Sequence, residues 1–218
     1  MLKPASTGSR DAARNQFLRT FLHDLATPLS AVSLHLEGAN RRLARGEDPS
    51  SSLDVARAEL GRAFDLFERG RELLLSESRP AESIAFDEWV ADTFRRMSQD
   101  GLEAQGKTGG RIAGDREKLT EALSSLIVNA LERARPQEVA VFCERDGHRL
   151  QVRVENPGSL PAEDPEKLFA PRSTGGGKNW GMGLPLARLY AADADGVVRV
   201  TQSGEKVSAT LSFPEENA

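Results

Sequence analysis

A histidine and an aspartate stand side by side within TFLHDLATPLSAV, residues 20–32. Imidazole has an unperturbed pKa of about 6.5, so a ring at His23 is mostly neutral and nucleophilic at pH 7. The neighbouring carboxylate of Asp24 can hold the tautomer of that ring and take up its proton while a phosphoryl group arrives. Thr27 lies one helical turn further on the same face, where its hydroxyl can orient a water. Pro28 has no N–H to donate to the carbonyl of Asp24, so it predicts a distorted turn.

The elements that must position this group are two helices with apolar residues at heptad spacing. From residue 18 the steps alternate between four and three residues, and after the break at GEDPSS the same pattern resumes. A short loop between two such helices makes them antiparallel neighbours, and the serines after the proline are available as helix caps. The seam positions are Leu18, Leu22, Leu25, Leu29, Val32, Leu36, Ala39 and Leu43, then Leu53, Ala56, Leu60, Ala63, Phe67, Gly70 and Leu74.

The apolar surface of this hairpin is too large for two helices to bury. A second copy of the chain would complete a four-helix bundle, and each fully buried leucine or phenylalanine contributes about 1.5–3 kcal/mol. We therefore expect a homodimer, and the alternative is a hairpin packed on the second domain of its own chain. His23 follows the seam residue Leu22, so its ring is expected at the flank of the bundle, facing water.

Composition excludes several classes of function. The chain has 218 residues and a formal net charge of -4, which argues against nucleic acid or anionic membrane as a partner. Its one cysteine, Cys143, fits a reducing cytosol, and no apolar run approaches a membrane span, so we expect a cytoplasmic protein. Only 22 residues precede His23, so the input signal is expected from a separate sensor protein, a bound ligand or a region outside this sequence.

A second domain is predicted after the polar, proline-containing stretch SESRPAES. A short strand and an amphipathic helix come first, and EAQGKTGGR is interpreted as a loop. Asp115 is the expected cap of a helix that runs to about Ala134. Ser125, Asn129 and Arg133 would form a polar stripe on it, and the amide oxygen of Asn129 is a hard donor that suits Mg²⁺.

The rest of this domain combines strands with a glycine-rich approach to a helix. A β-hairpin is predicted around Asp146-Gly147, and two alternating strands close the chain. Between them, residues 157–179 are rich in glycine and proline, which is typical of a functional loop. Gly181 and Gly183 then open a helix, where backbone N–H groups can approach an anion closely.

The stretch FLHDLATPLSAV resembles the phosphoacceptor box of two-component sensor histidine kinases, whose usual form is His-Glu/Asp-Leu-Arg-Thr-Pro-Leu. Ala26 stands where the family has its arginine. The resemblance implies that His23 is the phosphoacceptor and Asp24 its acid/base partner. It also implies that Thr27 acts in removing phosphate from a response regulator.

Three further stretches resemble motifs of the same family's ATP-binding domain. LSSLIVNALERA is similar to its asparagine box, LFAPRST to its phenylalanine box and WGMGLPLARLYA to its second glycine box. The resemblance implies an α+β fold, with a helical hairpin that forms a dimeric four-helix bundle followed by an α/β sandwich related to the gyrase and heat-shock-protein ATPases. The implied division is residues 1–78 for the hairpin, 79–83 for a linker and 84–218 for the ATP-binding domain.

The resemblance also implies the cofactors ATP and Mg²⁺ and the residues that hold them. Asn129 would coordinate Mg²⁺ and the triphosphate, and the two glycines of the second glycine box would meet the phosphates. Asn156 occupies the position of the family's adenine-binding aspartate, and the glycine two residues later is kept. The full set of cofactor-binding candidates is Asn129, Arg133, Asn156, Gly158, Arg172, Lys178, Gly181 and Gly183.

Three functions are compatible with these motifs. The first is an ATP-dependent histidine kinase that phosphorylates His23 and passes the group to an aspartate on a response-regulator receiver domain. The second is a histidine phosphotransferase that shares the hairpin chemistry without using ATP. The third is a pseudokinase that only docks a regulator. Asn129 and the Gly181-Met182-Gly183 sequence favour the kinase, whereas Asn156 and Glu132, where the family has an acidic and a basic residue respectively, favour the others.

Overall fold

The computed structural model describes residues 7–75, 79–97, 102–160, 168–169 and 183–216. These residues form two compact units: one contains the described parts of Met1–Phe17, Ser78–Ala170 and Gly181–Ala218, and the other contains the described part of Leu18–Glu77. The helices are α1 (Thr7–Ala44), α2 (Ser50–Leu75), α3 (Phe86–Arg96), α4 (Arg116–Leu131) and α5 (Gly183–Asp193). The strands are β1 (Glu82–Ala85), β2 (Ala104–Gln105), β3 (Arg111–Gly114), β4 (Ala140–Asp146), β5 (Arg149–Pro157), β6 (Val197–Ser203) and β7 (Lys206–Pro214).

The two long helices confirm the predicted helical hairpin. α1 continues through Pro28, and the chain turns at Gly46, which has a φ of +72° that suits glycine. The cap of α2 differs from the expectation of a serine. The side chain of Asp48 accepts the N–H of Ser50 at 2.9 Å, because a carboxylate two residues ahead of the helix reaches its free N–H groups.

The predicted apolar seam divides into two halves. Leu25, Val32 and Ala39 on α1, with Ala56, Ala63 and Gly70 on α2, are buried or half-buried. The alternate positions are exposed, with Leu36 at 44% and Phe67 at 46%. The two helices use one of the two heptad positions to pack against each other. The residues at the other heptad position therefore remain exposed in the hairpin and are free to pack against another helical surface. The exposed half comprises Leu22, Leu29, Leu36, Leu43, Leu53, Leu60 and Phe67, and we call it the outer seam.

A close approach inside the hairpin depends on a glycine in α2. A Cβ atom at Gly70 would overlap the ring of Phe21, which is itself buried. We expect Gly70→Ala to lower the free energy of unfolding by about 1–3 kcal/mol, because overpacking forces the ring or the helix to shift. Gly61→Ala is the control, since nothing lies within 4 Å of its Cβ position. That change should stabilise α2 by about 0.5–1 kcal/mol. Chemical denaturation measures both, and equal effects of the two changes would contradict the close approach.

The unit that contains α3, α4 and α5 is built on a five-stranded mixed sheet in the order β2-β4-β5-β7-β6. β2 pairs with β4 in parallel, and the other neighbours are antiparallel. On β5, Leu150, Val152 and Val154 alternate with half-exposed polar residues, as expected for a strand with one buried face. The ring of Trp89 from α3 meets that of Phe213 from β7 edge to face, with centroids 6.0 Å apart.

The helix that carries Asn129 begins as predicted and ends earlier. The carboxylate of Asp115 accepts the N–H groups of Glu117 and Lys118, at 3.1 and 3.4 Å, and so caps α4. α4 ends at Leu131 rather than near Ala134, and a turn follows. The interpretation of EAQGKTGGR as a loop was wrong in part, because it contains β2 and the first residue of β3. These short strands are stabilised by partners far away in the sequence, which local composition does not reveal.

The four remaining predicted strands are confirmed, whereas most of the loop predicted over residues 157–179 lies outside the described residues. β4 and β5 form the hairpin around Asp146 and Gly147, and β6 and β7 are the two closing strands. Long N-terminal helices followed by a mixed α/β unit agree with the expected fold class. Among the helices at the described positions, none combines the length and the apolar character that crossing a membrane requires.

Candidate functional site

The predicted phosphoacceptor, His23, lies on α1, where its ring is exposed to solvent and contacts a carboxylate. Its side chain is 52% exposed, and its Nδ1 lies 3.3 Å from Oδ1 of Asp24. The side chain of Asp24 is only 8% exposed, so the carboxylate is buried beside an exposed ring. A proton on Nδ1 donated to this carboxylate leaves the lone pair of the imidazole on Nε2, which is the nitrogen that can attack.

The hydroxyl of Thr27 lies one turn after the histidine. Its Oγ1 donates to the carbonyl of His23 at 3.2 Å, and Ser30 donates in the same way to Ala26 at 2.8 Å. Thr27 is exposed, and Pro28, which has no N–H, follows it. The structure thus brings His23, Asp24 and Thr27 together on one turn of α1, with the hydroxyl able to turn toward water.

Burial dominates the electrostatics of Asp24. Desolvation raises the pKa of its carboxyl above the ordinary value of 3.8, although the hydrogen bond and the charge of His23 act in the opposite direction. Its second oxygen, Oδ2, is buried and has no partner among the described residues. A carboxylate with a raised pKa is a better proton acceptor for an imidazole, because its basicity lies closer to that of the ring.

Replacing the buried carboxylate tests its electrostatic cost. The carboxyl of Asp24 has a higher pKa in the folded chain than in the unfolded chain. It therefore adds to the folding stability below the unfolded pKa, where it is protonated in both states. That contribution is lost as pH rises through the folded pKa, because the buried group must then carry a charge. We therefore expect Asp24→Asn to unfold at a higher temperature than the original chain at pH 7. The difference should narrow as pH falls toward about 4, where the carboxyl takes up its proton. Thermal unfolding across pH measures this, with the exposed Asp54→Asn as control. A variant less stable at pH 7 would contradict the assignment.

The second predicted site lies where α4 meets the start of α5. A Cβ atom at Gly183 would lie 3.5 Å from Nδ2 of Asn129 and 3.8 Å from Oγ of Ser125. Nδ2 of Asn129 is buried without a hydrogen-bond partner in the described part of the chain. A helix N-terminus without a side chain, next to an unpartnered amide, forms a cradle that a larger residue would fill.

This cradle fits the triphosphate and Mg²⁺ that the motifs imply. Backbone N–H groups at the start of α5 favour negative charge, and Mg²⁺ takes few protein ligands in addition to phosphate oxygens. Within the described ranges, no three His, Cys, Asp or Glu side chains cluster in the manner of a metal site. The amide oxygen of Asn129 is a hard donor that would serve as one protein ligand of Mg²⁺ here.

The remaining predicted cofactor residues are placed elsewhere or lie outside the described residues. Asn156, at the end of β5, is buried and donates from Nδ2 to the carbonyl of Pro157 at 2.8 Å. Gly158 has a φ of +136°, and its N–H donates to the carbonyl of Glu205 at 2.8 Å. Arg133 lies two residues beyond α4 and is exposed, so it does not extend the polar stripe. Arg172, Lys178 and Gly181 lie outside the described residues.

Two side chains on the helices that form the cradle, one on α4 and one on α5, were not among the predicted site residues. Ser125 precedes Asn129 by one turn and faces the same glycine, and its place on the polar stripe was the available signal. Arg188 on α5 lies over the ring of Phe169, with its guanidinium carbon 3.4 Å from the ring centroid. A lone arginine in the apolar stretch GLPLARLYAAD was the signal for a specific partner.

Comparison with known proteins relates this site to a family of ATPases. Residues 114–217, which include α4, the β4–β5 hairpin and α5, match the model of the histidine kinase-, DNA gyrase B-, and HSP90-like ATPase family. The chain is 27% identical to the sensor-like histidine kinase SenX3 of Mycolicibacterium smegmatis, over 94% of this chain and 58% of that protein. It is 32% identical to the sensor histidine kinase CusS of Escherichia coli O157:H7, over 58% of this chain and 28% of that protein.

Solved structures share the fold. The histidine kinase AdeS of Acinetobacter baumannii aligns with a TM-score of 0.56 and 21% identity, covering 89% of this chain and 98% of that one. The histidine kinase ThkA, solved in complex with the response regulator protein TrrA, aligns with a TM-score of 0.59 and 18% identity, covering 89% of this chain and 60% of that one. The chain spans 54–58% of the length of its SenX3 relatives. Residues 114–217 thus match the histidine kinase-, DNA gyrase B- and HSP90-like ATPase family, in a chain that is similar to sensor histidine kinases over nearly its whole length.

Proposed function

We propose that the chain acts as an ATP-dependent protein-histidine kinase that phosphorylates its own His23. The observation that carries the proposal is the pairing of an exposed imidazole with a buried carboxylate at His23 and Asp24. The cradle between Asn129 and Gly183, in a domain of the matching ATPase family, supplies the second requirement, a place for a triphosphate.

The role of each hairpin residue follows from the orientation of the ring. Asp24 holds the proton on Nδ1, so Nε2 carries the lone pair that forms a bond to the γ-phosphorus of ATP. The bond between that phosphorus and the bridging oxygen breaks, and ADP leaves with the electron pair. The Nδ1 proton then passes to Asp24, whose raised pKa favours accepting it, and the ring is left neutral.

The roles in the nucleotide unit are positioning and charge neutralisation. Asn129 would ligate Mg²⁺ through its amide oxygen, and the start of α5 would receive phosphate oxygens at Gly181 and Gly183. Bound Mg²⁺ neutralises charge on the triphosphate, which is its main contribution to phosphoryl transfer. Arg172 and Lys178 would add positive charge. Asn156 and Gly158 would contact the adenine end, where an amide oxygen accepts a hydrogen bond without the charge of an aspartate.

The phosphoryl group on His23 would next pass to an aspartate of a response-regulator receiver domain. ThkA, which shares this fold, was solved with the response regulator protein TrrA, and this supports a receiver as the partner. The exposure of His23 and Thr27 leaves room for such a partner. Thr27 would orient the water that removes phosphate from the receiver, since its hydroxyl lies on the turn that carries the phosphoacceptor.

The hairpin would act as a homodimer. The outer seam leaves seven apolar side chains exposed at heptad spacing, and monomeric proteins rarely expose a continuous surface of this kind. Two copies related by a two-fold axis would pack their outer seams against each other and complete the four-helix bundle.

Incubation with ATP labelled on its γ-phosphate, in the presence of Mg²⁺, tests the kinase activity. We expect acid-labile label on the chain, as is typical of a nitrogen–phosphorus bond. No label from ATP, together with label accepted from a phosphorylated receiver domain, would instead indicate a phosphotransferase. Absence of label from both donors would contradict both activities and indicate a docking protein.

A further inference from the structure

Three residues from distant parts of the chain contact one another in the nucleotide-binding unit. Nη1 of Arg188 donates to Oε1 of Gln16 at 3.1 Å, and Nε2 of Gln16 donates to the main-chain carbonyl of Phe169 at 3.2 Å. The guanidinium of Arg188 also stacks on the ring of Phe169, 3.4 Å from its centroid. We call these three residues the Gln16 cluster. Each member contacts both others, so moving one displaces the other two.

The cluster lies in a packed environment. Phe169 is 1% exposed, and Phe17, the neighbour of Gln16, is completely buried. The described residues of α1 up to Phe17 belong to the same compact unit as α4 and α5, whereas Leu18 begins the other unit. The change of unit therefore falls directly after the cluster. Arg188 is half-buried, and its cation lies over a fully buried aromatic ring, where partial removal of water strengthens the attraction.

One member of the cluster belongs to the helix that borders the nucleotide site. Arg188 lies on α5 five residues after Gly183, which corresponds to about 7.5 Å along the helix axis. A helix of 11 residues moves nearly as a rigid rod over that distance. A shift of Arg188 would therefore change the gap between Gly183 and the amide of Asn129, where a Cβ atom on Gly183 would lie 3.5 Å from Nδ2.

We propose that the Gln16 cluster couples the first turns of α1 to the nucleotide site, so that displacement of these turns weakens ATP binding. Gln16 and Arg188 are positioning residues that act through α5 and touch no substrate. The inference rests on the proposed ATP site and adds its regulation. A signal that rotates or shifts α1 near Gln16 breaks two directional hydrogen bonds, and the change reaches Gly183 without altering any residue of the site.

Nucleotide binding by the intact chain tests the coupling directly. The probe is trinitrophenyl-ATP with Mg²⁺, whose fluorescence reports the Kd. We expect Gln16→Ala and Arg188→Ala each to weaken binding about three- to tenfold, while the far-ultraviolet circular dichroism and the midpoint of thermal unfolding stay close to those of the original chain. Asn15→Ala on α1 and Arg96→Ala on α3 are matched controls, because both side chains are exposed and lie outside the cluster. Their Kd values should not change.

The double variant distinguishes coupling from general loosening. Since both residues act through the same three-residue cluster, Gln16→Ala with Arg188→Ala should bind no more weakly than the poorer single variant, whereas independent effects would multiply. Multiplying effects, an unchanged Kd, or a loss of binding that follows the loss of thermal stability would each overturn the inference. An original chain that binds no probe would instead refute the proposed ATP site. In that case the cluster itself is tested by amide hydrogen exchange at residues 11–17, which Arg188→Ala should accelerate if the contact exists.

Discussion

His23→Gln is expected to take up no phosphate from ATP, while it binds the nucleotide as well as the original chain does. Glutamine has nearly the reach of histidine and can still donate to Asp24, but its amide nitrogen has no lone pair that can attack phosphorus. The nucleotide cradle at Asn129 and Gly183 lies in the other compact unit, so its affinity should not change. Labelling with γ-phosphate measures the loss, and nucleotide binding measured in parallel shows that the site is intact.

His35→Gln is the matched control for this experiment. His35 also lies on α1, but the carboxylate of Asp24 contacts the ring of His23 and not that of His35 in the described part of the chain. We expect this variant to be labelled at the rate of the original chain. If His23→Gln kept its label, or if His35→Gln lost it, the phosphoacceptor would be a different residue. The kinase proposal would then lose the observation on which it depends.

Leu36→Glu is expected to convert a dimer into a monomer. Leu36 is central in the outer seam and is 44% exposed in the single chain, so a partner would bury the rest of it. Each fully buried leucine contributes about 1.5–3 kcal/mol, and a buried, unpaired carboxylate costs more than that gain. Two-fold symmetry applies the change twice in every dimer. Sedimentation equilibrium should give twice 23.7 kDa for the original chain and 23.7 kDa for the variant.

Leu34→Glu serves as the control for the outer seam. Leu34 lies on the same helix and is more exposed, at 64%, but two residues before Leu36 it falls outside the heptad positions. A helix turns about 200° over two residues, so Leu34 faces away from the seam. Its variant should remain dimeric. Dissociation by both changes would indicate a different interface, and a monomeric original chain would refute the homodimer.

Much of the hairpin and of its chemistry can be read from local spacing. The heptad pattern predicts α1 and α2, and the His23-Asp24 pair with Thr27 and Pro28 defines a turn because all four residues lie within six positions. The Asp115 cap and the Asp146-Gly147 turn are local signals of the same kind. Such features depend on contacts between residues three or four apart, which the order of residues alone specifies.

Contacts across long sequence separations decided the rest. Helical spacing identified the whole apolar seam, but only the packing of α1 on α2 showed which half is exposed. The sequence places Asp24 beside His23, but only tertiary packing shows that its carboxyl is buried, which raises its pKa. Three contacts join residues that lie 37 to 172 positions apart: the parallel pairing of β2 with β4, the approach of Gly183 to Asn129 and the Gln16 cluster. No local pattern in the sequence shows which of many apolar or polar residues will meet in this way. The sequence by itself therefore determines which chemical groups are present. Their basicity and their partners depend on burial and distance, which are set only by the tertiary structure.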